Sequence, residues 1–331
     1  MRDRSELDRL SSDNIKSVEV ISNPGARYAA STKAVIRITT KKIQGDGFGF
    51  DATTEGSYDE KKNIGGSSNI YYVGKVGKLG IDFNTDWFWS KGNNKNNIDE
   101  HYQEVNSDMQ NQLVNSTTSK YNRLIASKMV LSYPLIGGDL SVGGEYSFIN
   151  RNTNYTIIPN TLADNVRDRI KEGMASAFVT YNRDFGKLNM EAGLRYENVD
   201  FKYYDNGKYM AEQSKTYGEW FPSLSLSMPF GNVQMQLSYA ADIDRPNYWV
   251  LRSGIQYSNH YTYETGNPFL VSEISRDISY DLAYKWLTFN LTYEHVSNPK
   301  YQTVEMYKDN ATIGLMRMIN GKSYNIILTS L

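Results

Sequence analysis

The sequence predicts an all-β fold, an antiparallel up-and-down transmembrane β-barrel, partial in extent, that follows a short N-terminal element of another kind. Three observations predict it. Beyond residue 42, apolar and polar side chains alternate along long segments, the pattern of strands with one apolar and one polar face. These segments run to about 12–16 residues, beyond the roughly 5–6 of soluble domains and enough for the roughly 9–11 that a tilted strand needs to cross a bilayer. The connections alternate short and long, as a membrane barrel with short periplasmic turns and long outer loops requires.

Composition narrows the alternatives. The chain has 331 residues with 36 Lys+Arg against 37 Asp+Glu, so no net field exists to hold a polyanion, and nucleic acid is excluded as a partner. With no cysteine there is neither a thiolate zinc site nor a disulfide framework. A mean hydropathy of -0.57 and no apolar run near the roughly 18 residues of a membrane helix exclude a helical membrane protein but leave a barrel open. The 26 tyrosines, each with a flat body and a polar tip, suit half-buried strands and membrane interfaces.

Residues 1–42 form the first region. Ser5–Leu10 reads as the end of a short helix, Asp13 and Asn14 as turn or cap residues, and Val18–Ile21 and Ala34–Thr39 as strands separated by Asn23, Pro24 and Gly25. This element is too short to fold alone. Residues 43–331 form the second, with about 12 strands. Leu79, Ile81 and Phe83 lead to Trp87 and Trp89 opposite Asp82, Asn84 and Asp86. Leu188, Met190, Ala192, Leu194 and Tyr196 oppose Asn189, Glu191, Arg195 and Glu197; Leu224, Leu226 and Met228 alternate with serines. After Pro229-Phe230-Gly231 the alternation resumes with Val233, Met235, Leu237 and Tyr239, and later with Leu287, Phe289, Leu291 and Tyr293. Short turns fall near 74–77, 134–138, 184–186, 229–231 and 285–286; longer links span 91–120, 151–169, 204–215 and 244–273. Residues 91–120, polar and rich in asparagine, are expected to be a long solvated loop.

A soluble sandwich or propeller would show the same alternation toward a core. Strand length, the alternation of loop lengths and the aromatic end Trp87-Phe88-Trp89 favour the membrane.

Two stretches carry a resemblance. Asp13-Asn14-Ile15-Lys16-Ser17-Val18-Glu19-Val20-Ile21-Ser22-Asn23-Pro24-Gly25-Ala26-Arg27-Tyr28, followed by Val35-Ile36-Arg37-Ile38-Thr39-Thr40-Lys41-Lys42, resembles the end of a TonB-dependent-receptor plug domain. Phe221-Pro222-Ser223-Leu224-Ser225-Leu226-Ser227, Leu237-Ser238-Tyr239, Arg245-Pro246-Asn247-Tyr248-Trp249 and Gly266-Asn267-Pro268-Phe269-Leu270 resemble the mid-barrel signature of these receptors and of their kin, the outer-membrane β-barrel family proteins. The resemblance implies a receptor in the outer membrane of a Gram-negative bacterium that imports a scarce, bulky nutrient such as a siderophore or glycan. The partners implied are outer-membrane lipid, the TonB-ExbB-ExbD complex acting through a segment absent here, and a surface lipoprotein; a passive porin or structural barrel protein is the alternative. Met1–Leu10 is charged where a secretory signal would be apolar, and no TonB box is seen, so a fragment of a longer gene is expected. Residues 1–42 would be the C-terminal part of the plug. Ser22 and Asn23 stand where the receptor plug has arginine and glycine, which leaves Glu19 and Arg27 as the charged candidates for plug–barrel contact.

Enzymatic constellations are not found, and no cofactor or metal is implied. His101, His260 and His295 lie at outer edges with no fixed spacing and no nucleophile beside them. Asp184-Phe185-Gly186 matches a kinase tripeptide but reads as a turn, and Gly45, Gly47 and Gly49 lack the following helix that a phosphate loop needs. Asp82, Asp86, Glu145, Glu191, Arg195, Glu197, Asp277 and Asp281 would point into a barrel lumen. Residues 244–273 concentrate Tyr248, Trp249, Tyr257, Tyr261 and Tyr263, candidates to stack on sugar rings or a flat chelate, with an interfacial girdle or packing on the plug as the alternatives.

Overall fold

Two-residue turns set the register of the sheet. They occur at Gly77–Lys78, Ile136–Gly137, Gly186–Lys187, Gly231–Asn232 and Lys285–Trp286, and in each the first residue has positive φ, from 49° at Ile136 to 67° at Gly186. Positive φ matches the right-handed twist of the flanking strands, so these turns join neighbours without splaying them. The Asp184-Phe185-Gly186 run is therefore a hairpin end. A computed structural model describes residues 15–21, 25–40, 46–103 and 108–331; Ser5–Leu10 and Gly45 lie outside the described residues.

In chain order the strands are β1 (Ile15–Ile21), β2 (Val35–Thr40), β3 (Gly47–Tyr58), β4 (Ile64–Val76), β5 (Leu79–Tyr102), β6 (Gln110–Leu135) and β7 (Gly138–Ile158). There follow β8 (Val166–Phe185), β9 (Leu188–Asp205), β10 (Lys208–Tyr209), β11 (Lys215–Phe230), β12 (Val233–Asp244), β13 (Ile255–Asn259) and β14 (Thr262–Thr265). The last are β15 (Glu273–Tyr284), β16 (Leu287–Ser297), β17 (Lys300–Tyr307), β18 (Asn310–Asn320) and β19 (Tyr324–Ser330). One antiparallel meander runs β3-β4-β5-β6-β7-β8-β9-β11-β12-β15-β16-β19, with β10 folded back on β9. The sheet is open, with β3 and β19 as its edges among the described residues. β1 and β2 form a separate antiparallel pair, Glu19 opposite Arg37.

The alternation read from the sequence fixes the two faces. Trp87, Leu237 and Ile278 point outward, 46%, 46% and 50% exposed, as a lipid-facing band must. Side chains of the opposite parity on β5 and β12 point inward: Asp82 toward Tyr71, Ser238 and Ala240 toward a buried interior.

Residues 91–120 are not a loop. β5 has 24 residues and β6 has 26, and they stay paired from Gly80↔Ser132 to Tyr102↔Gln110. β7 and β8, with 21 and 20 residues, likewise extend through most of the link expected at 151–169. The backbone ladder continues past the membrane, where both faces meet water and the apolar alternation that identifies a strand is no longer needed. Two long links then pair with each other. The hairpin β13–β14 joins β17–β18 into a four-stranded sheet through the parallel pair β14·β18. Its apolar side packs on the upper wall, Tyr257 and Tyr263 with Val114, Tyr155 and Ile157, and the flanking link residues Leu251 and Leu270 pack with Ile170, Val199 and Tyr203.

The two faces predict unequal tolerance of charge. Leu226, opposite Leu237 and Met190, lies on the lipid face; Ser225, opposite Ser238 and Glu191, on the inner one. Leu226→Arg is expected to impair outer-membrane assembly, at about 2–4 kcal/mol for arginine near the midplane. Ser225→Arg is expected to be milder. Folded-to-unfolded band shifts of membrane fractions check both, and equal loss would reverse the face assignment.

Candidate functional site

The inner face is occupied at two levels. At the lower one, Gly25–Lys33 lies against the wall. Ala26 packs with Val130 and Phe178, and Ala30 with Phe221, Ala241 and Ile243. The fit at Gly193 is close enough that a Cβ there would stand 2.7 Å from that of Ala26, so only glycine serves. The backbone is tied as well: Ala30 N–H donates to Glu197 Oε1 at 3.1 Å, and Ile243 N–H donates to Ala30 O at 3.1 Å.

Glu197 is the hub of this seat. Both it and Arg195 are fully buried on β9, where odd-numbered side chains face inward. Arg195 Nε donates to Glu197, Arg195 Nη2 lies 3.2 Å from Glu145, and Arg245 Nη2 lies 2.5 Å from Glu197 Oε2. Glu197 thus meets two guanidinium groups and one backbone amide, which is what a buried carboxylate needs to remain charged. Arg27 reaches Asp82 on β5 at 3.2 Å, while Lys128 Nζ donates to Arg27 O at 2.6 Å. The side chain of Glu19 lies outside the described residues.

At the upper level is a cavity of about 440 Å³, counted with its open mouth. Arg151 and Tyr155 of β7, Asp168 and Ile170 of β8, and Tyr248, Trp249 and Arg252 of the β12–β13 link line it. The link bends inward at Arg245-Pro246-Asn247. Pro246 has no N–H to donate, and Asn247 Oδ1 accepts from the N–H groups of Trp249 at 3.0 Å and Val250 at 3.1 Å, an Asx turn that aims Tyr248 and Trp249 at the wall. Tyr248 Oη donates to Glu172 at 2.8 Å. The Arg252 guanidinium lies 4.0 Å and Lys120 Nζ 5.2 Å from the Trp249 ring centre, and Arg151 lies 5.8 Å from that of Tyr248.

Asp168 stands at the external end of β8, level with Asp205, beyond the roughly 11 residues above each periplasmic turn that cross the bilayer. Burial pushes its carboxyl up to about 6, with Asp205 adding to the rise and the Tyr203 O–H and Arg252 opposing it.

The five aromatic candidates therefore separate. Tyr248 and Trp249 line the cavity. Tyr257 and Tyr263 are buried, ring centres 5.3 Å apart; Tyr257 donates to Glu100, and Tyr263 stacks on Tyr307 at 4.5 Å. Tyr261 is exposed at the rim beside Tyr102. The histidines do not meet. His101 contacts Asn111, His260 stacks on Tyr102, and His295 contacts Asn325. Among the described residues, no cluster of three metal-ligating side chains occurs.

An open antiparallel wall with lipid-facing apolar side chains and a filled polar interior is the construction of an outer-membrane barrel. The sequence model of the outer membrane protein beta-barrel family matches residues 74–330. The chain belongs to that family. Like its other members, this outer-membrane β-barrel protein resides in the outer membrane of a Gram-negative bacterium. Among solved structures, it is similar to the copper transporter OprC, at 10% identity with a TM-score of 0.61, over 89% of this chain and 49% of that one. It is also similar to the ferric-catecholate import receptor Fiu from E. coli K12, at 10% identity with a TM-score of 0.56, over 81% of this chain and 44% of that one. The chain spans about half the length of each, and the likeness is one of fold. No curated protein matches it in sequence.

Four further charged residues of this outer-membrane protein, Lys120, Arg151, Arg245 and Arg252, did not stand out in the sequence. Parity would have found Arg151, which shares a face of β7 with Glu145. Arg245 and Arg252 sit in an irregular link with no parity to read. The buried seat predicts a graded response. Glu197→Ala leaves two arginines facing each other and is expected to cost about 3–5 kcal/mol. Glu197→Gln, which still accepts from Ala30, is expected to cost less. Chemical unfolding of the detergent-solubilised protein checks the order.

Proposed function

We propose that the chain forms part of an energised outer-membrane importer for a bulky nutrient, in which residues 1–42 are the C-terminal part of a plug and residues 43–331 barrel wall. The observation that carries this reading is the seating of Gly25–Lys33 against the inner wall, through Ala30 to Glu197 and Ile243 and through Arg27 to Asp82. A passive pore needs an open aqueous path along its lumen. Here a chain segment sits at one level of the inner face and a folded link at another. The contacts of the segment are also of a kind that can be exchanged. The hydrogen bonds and the ion pair are water-compatible, and the apolar contact is limited to Ala26 and Ala30, whose withdrawal uncovers parts of Val130, Phe178, Phe221, Ala241 and Ile243.

Work to displace such a segment has to come from outside the outer membrane, which holds no energy source of its own. The TonB-ExbB-ExbD complex is the partner this reading requires, with a surface lipoprotein as an accessory. The wall residues act as a seat and a selective lining, and no residue acts as an acid, base or nucleophile. OprC and Fiu are named for copper and ferric-catecholate cargo, and at 10% identity neither cargo carries over.

Transport and passive diffusion separate on energy. Cells producing the full gene product are expected to deplete particular solutes from a complex medium relative to a deletion strain, and a protonophore is expected to abolish the difference. Depletion that continues unchanged with the protonophore would establish a passive pore and overturn the import reading.

A further inference from the structure

We propose that the cavity between β7, β8 and the β12–β13 link is an oxyanion subsite, which holds the carboxylate, sulfate or phosphate group of an imported solute. This deepens the import reading and rests on it, because only an imported solute would pass this point of the lumen.

The first support is an imbalance of charge. Arg252, Arg151 and Lys120 converge on Tyr248 and Trp249. Arg252 is balanced: Glu264 lies 3.7 Å from its Nη2, and Asp168 faces it across the cavity. Glu172 is engaged by the Tyr248 hydroxyl. Lys120 and Arg151 make no ion pair among the described residues, and burial together with the Arg151 charge holds the Lys120 ammonium below its ordinary range. Two like charges held together without an anion are a strained arrangement that an oxyanion relieves.

The second support is a buried donor with nothing to donate to. Arg252 is 6% exposed, and its Nε has no hydrogen-bond partner among the described residues. The charge of Arg252 is balanced, but a buried N–H left without an acceptor costs stability unless a ligand supplies one.

The third support comes from the aromatic rings, whose role differs from stacking on cargo. Arg252 and Lys120 both sit at the Trp249 ring, and Arg151 at that of Tyr248. Rings so occupied fix the three cations in place. Trp249 and Tyr248 are thus positioning residues, and recognition is by charge. The cavity is narrow and opens to the lumen, so the acidic group enters it and the rest of a bulky solute stays in the lumen.

Binding is tested on the full gene product in detergent by calorimetric titration with sodium glucuronate, sulfate and phosphate, and with methyl glucoside as the neutral control. At least one oxyanion is expected to bind saturably and methyl glucoside not at all; which of the three binds identifies the acidic group. Arg151→Gln and Lys120→Gln are each expected to weaken that binding about tenfold, the scale of one charge-assisted hydrogen bond, without lowering thermal stability, since each also relieves the like-charge contact. Arg151→Lys is expected to restore part of it. Absence of saturable oxyanion binding, equal binding of methyl glucoside, or unaltered binding in both Gln variants would overturn the subsite. The titration needs no energy source, so it fails separately from the import reading. Oxyanion binding without protonophore-sensitive uptake removes only import, and uptake without oxyanion binding removes only the subsite.

Discussion

Every backbone N–H and C=O that enters the hydrocarbon layer has to find its partner there, since an unpaired amide in an apolar medium costs several kcal/mol. The meander meets this condition for every strand between its two edges, β3 and β19, and its two-residue turns leave no slack for a slip of register. A slip by one residue would turn Leu226 and Leu237 inward and Ser225 and Ser238 to lipid. Once register is set, so is the sorting of chemistry. Apolar side chains are committed to the outside, and whatever the protein does must be done with the alternate residues that point inward.

That sorting explains why charge concentrates on the inner face of a nearly neutral chain. Glu145 comes from β7, Arg195 and Glu197 from β9 with β8 between them, Arg245 from a link, and the Ala30 amide from a segment far away in sequence. Each is costly to bury alone, and together they balance one another's charge, although Arg195 Nη1 and Arg245 Nε find no acceptor among the described residues. Such a network contributes less to net stability than to selectivity of fit. It accepts one segment in one position, because a shifted segment would leave Glu197 short of a donor. The close approach of Ala26 to Gly193 acts in the same sense by excluding a larger residue on either side.

What the sequence made legible follows the same constraint. Alternation is imposed only where one face meets lipid, so Leu79–Trp89, Leu188–Glu197 and Leu287–Tyr293 announced themselves, as did the glycine-bearing turns. Above the bilayer both faces are wet, and β5 from Lys91 to Tyr102 continues with Asn93, Asn94, Asn96 and Asn97, a composition that reads as loop although the ladder is intact. The parallel pair β14·β18 joins segments with no local signal for each other, and Tyr257 and Tyr263 are buried only because that pairing closes over them. A dense run of aromatics says that something is packed or bound. Which of the two it is depends on contacts distant in sequence.

The link after β12 shows what this concealment costs a reading from sequence alone. Ile243 holds Ala30, Arg245 holds Glu197, Tyr248 and Trp249 carry the cations of the upper cavity, and Arg252 closes it. One short stretch of chain thus touches the seat of the lumen segment at one end and the cavity at the other. The Asx turn at Asn247 stiffens the piece between them, and Leu251 anchors it in the wall. Backbone groups of Asp244, Asn247, Trp249 and Val250 are hydrogen-bonded, and Leu251 and Arg252 are buried. The two levels of the inner face are therefore joined by one short link that makes contacts at both.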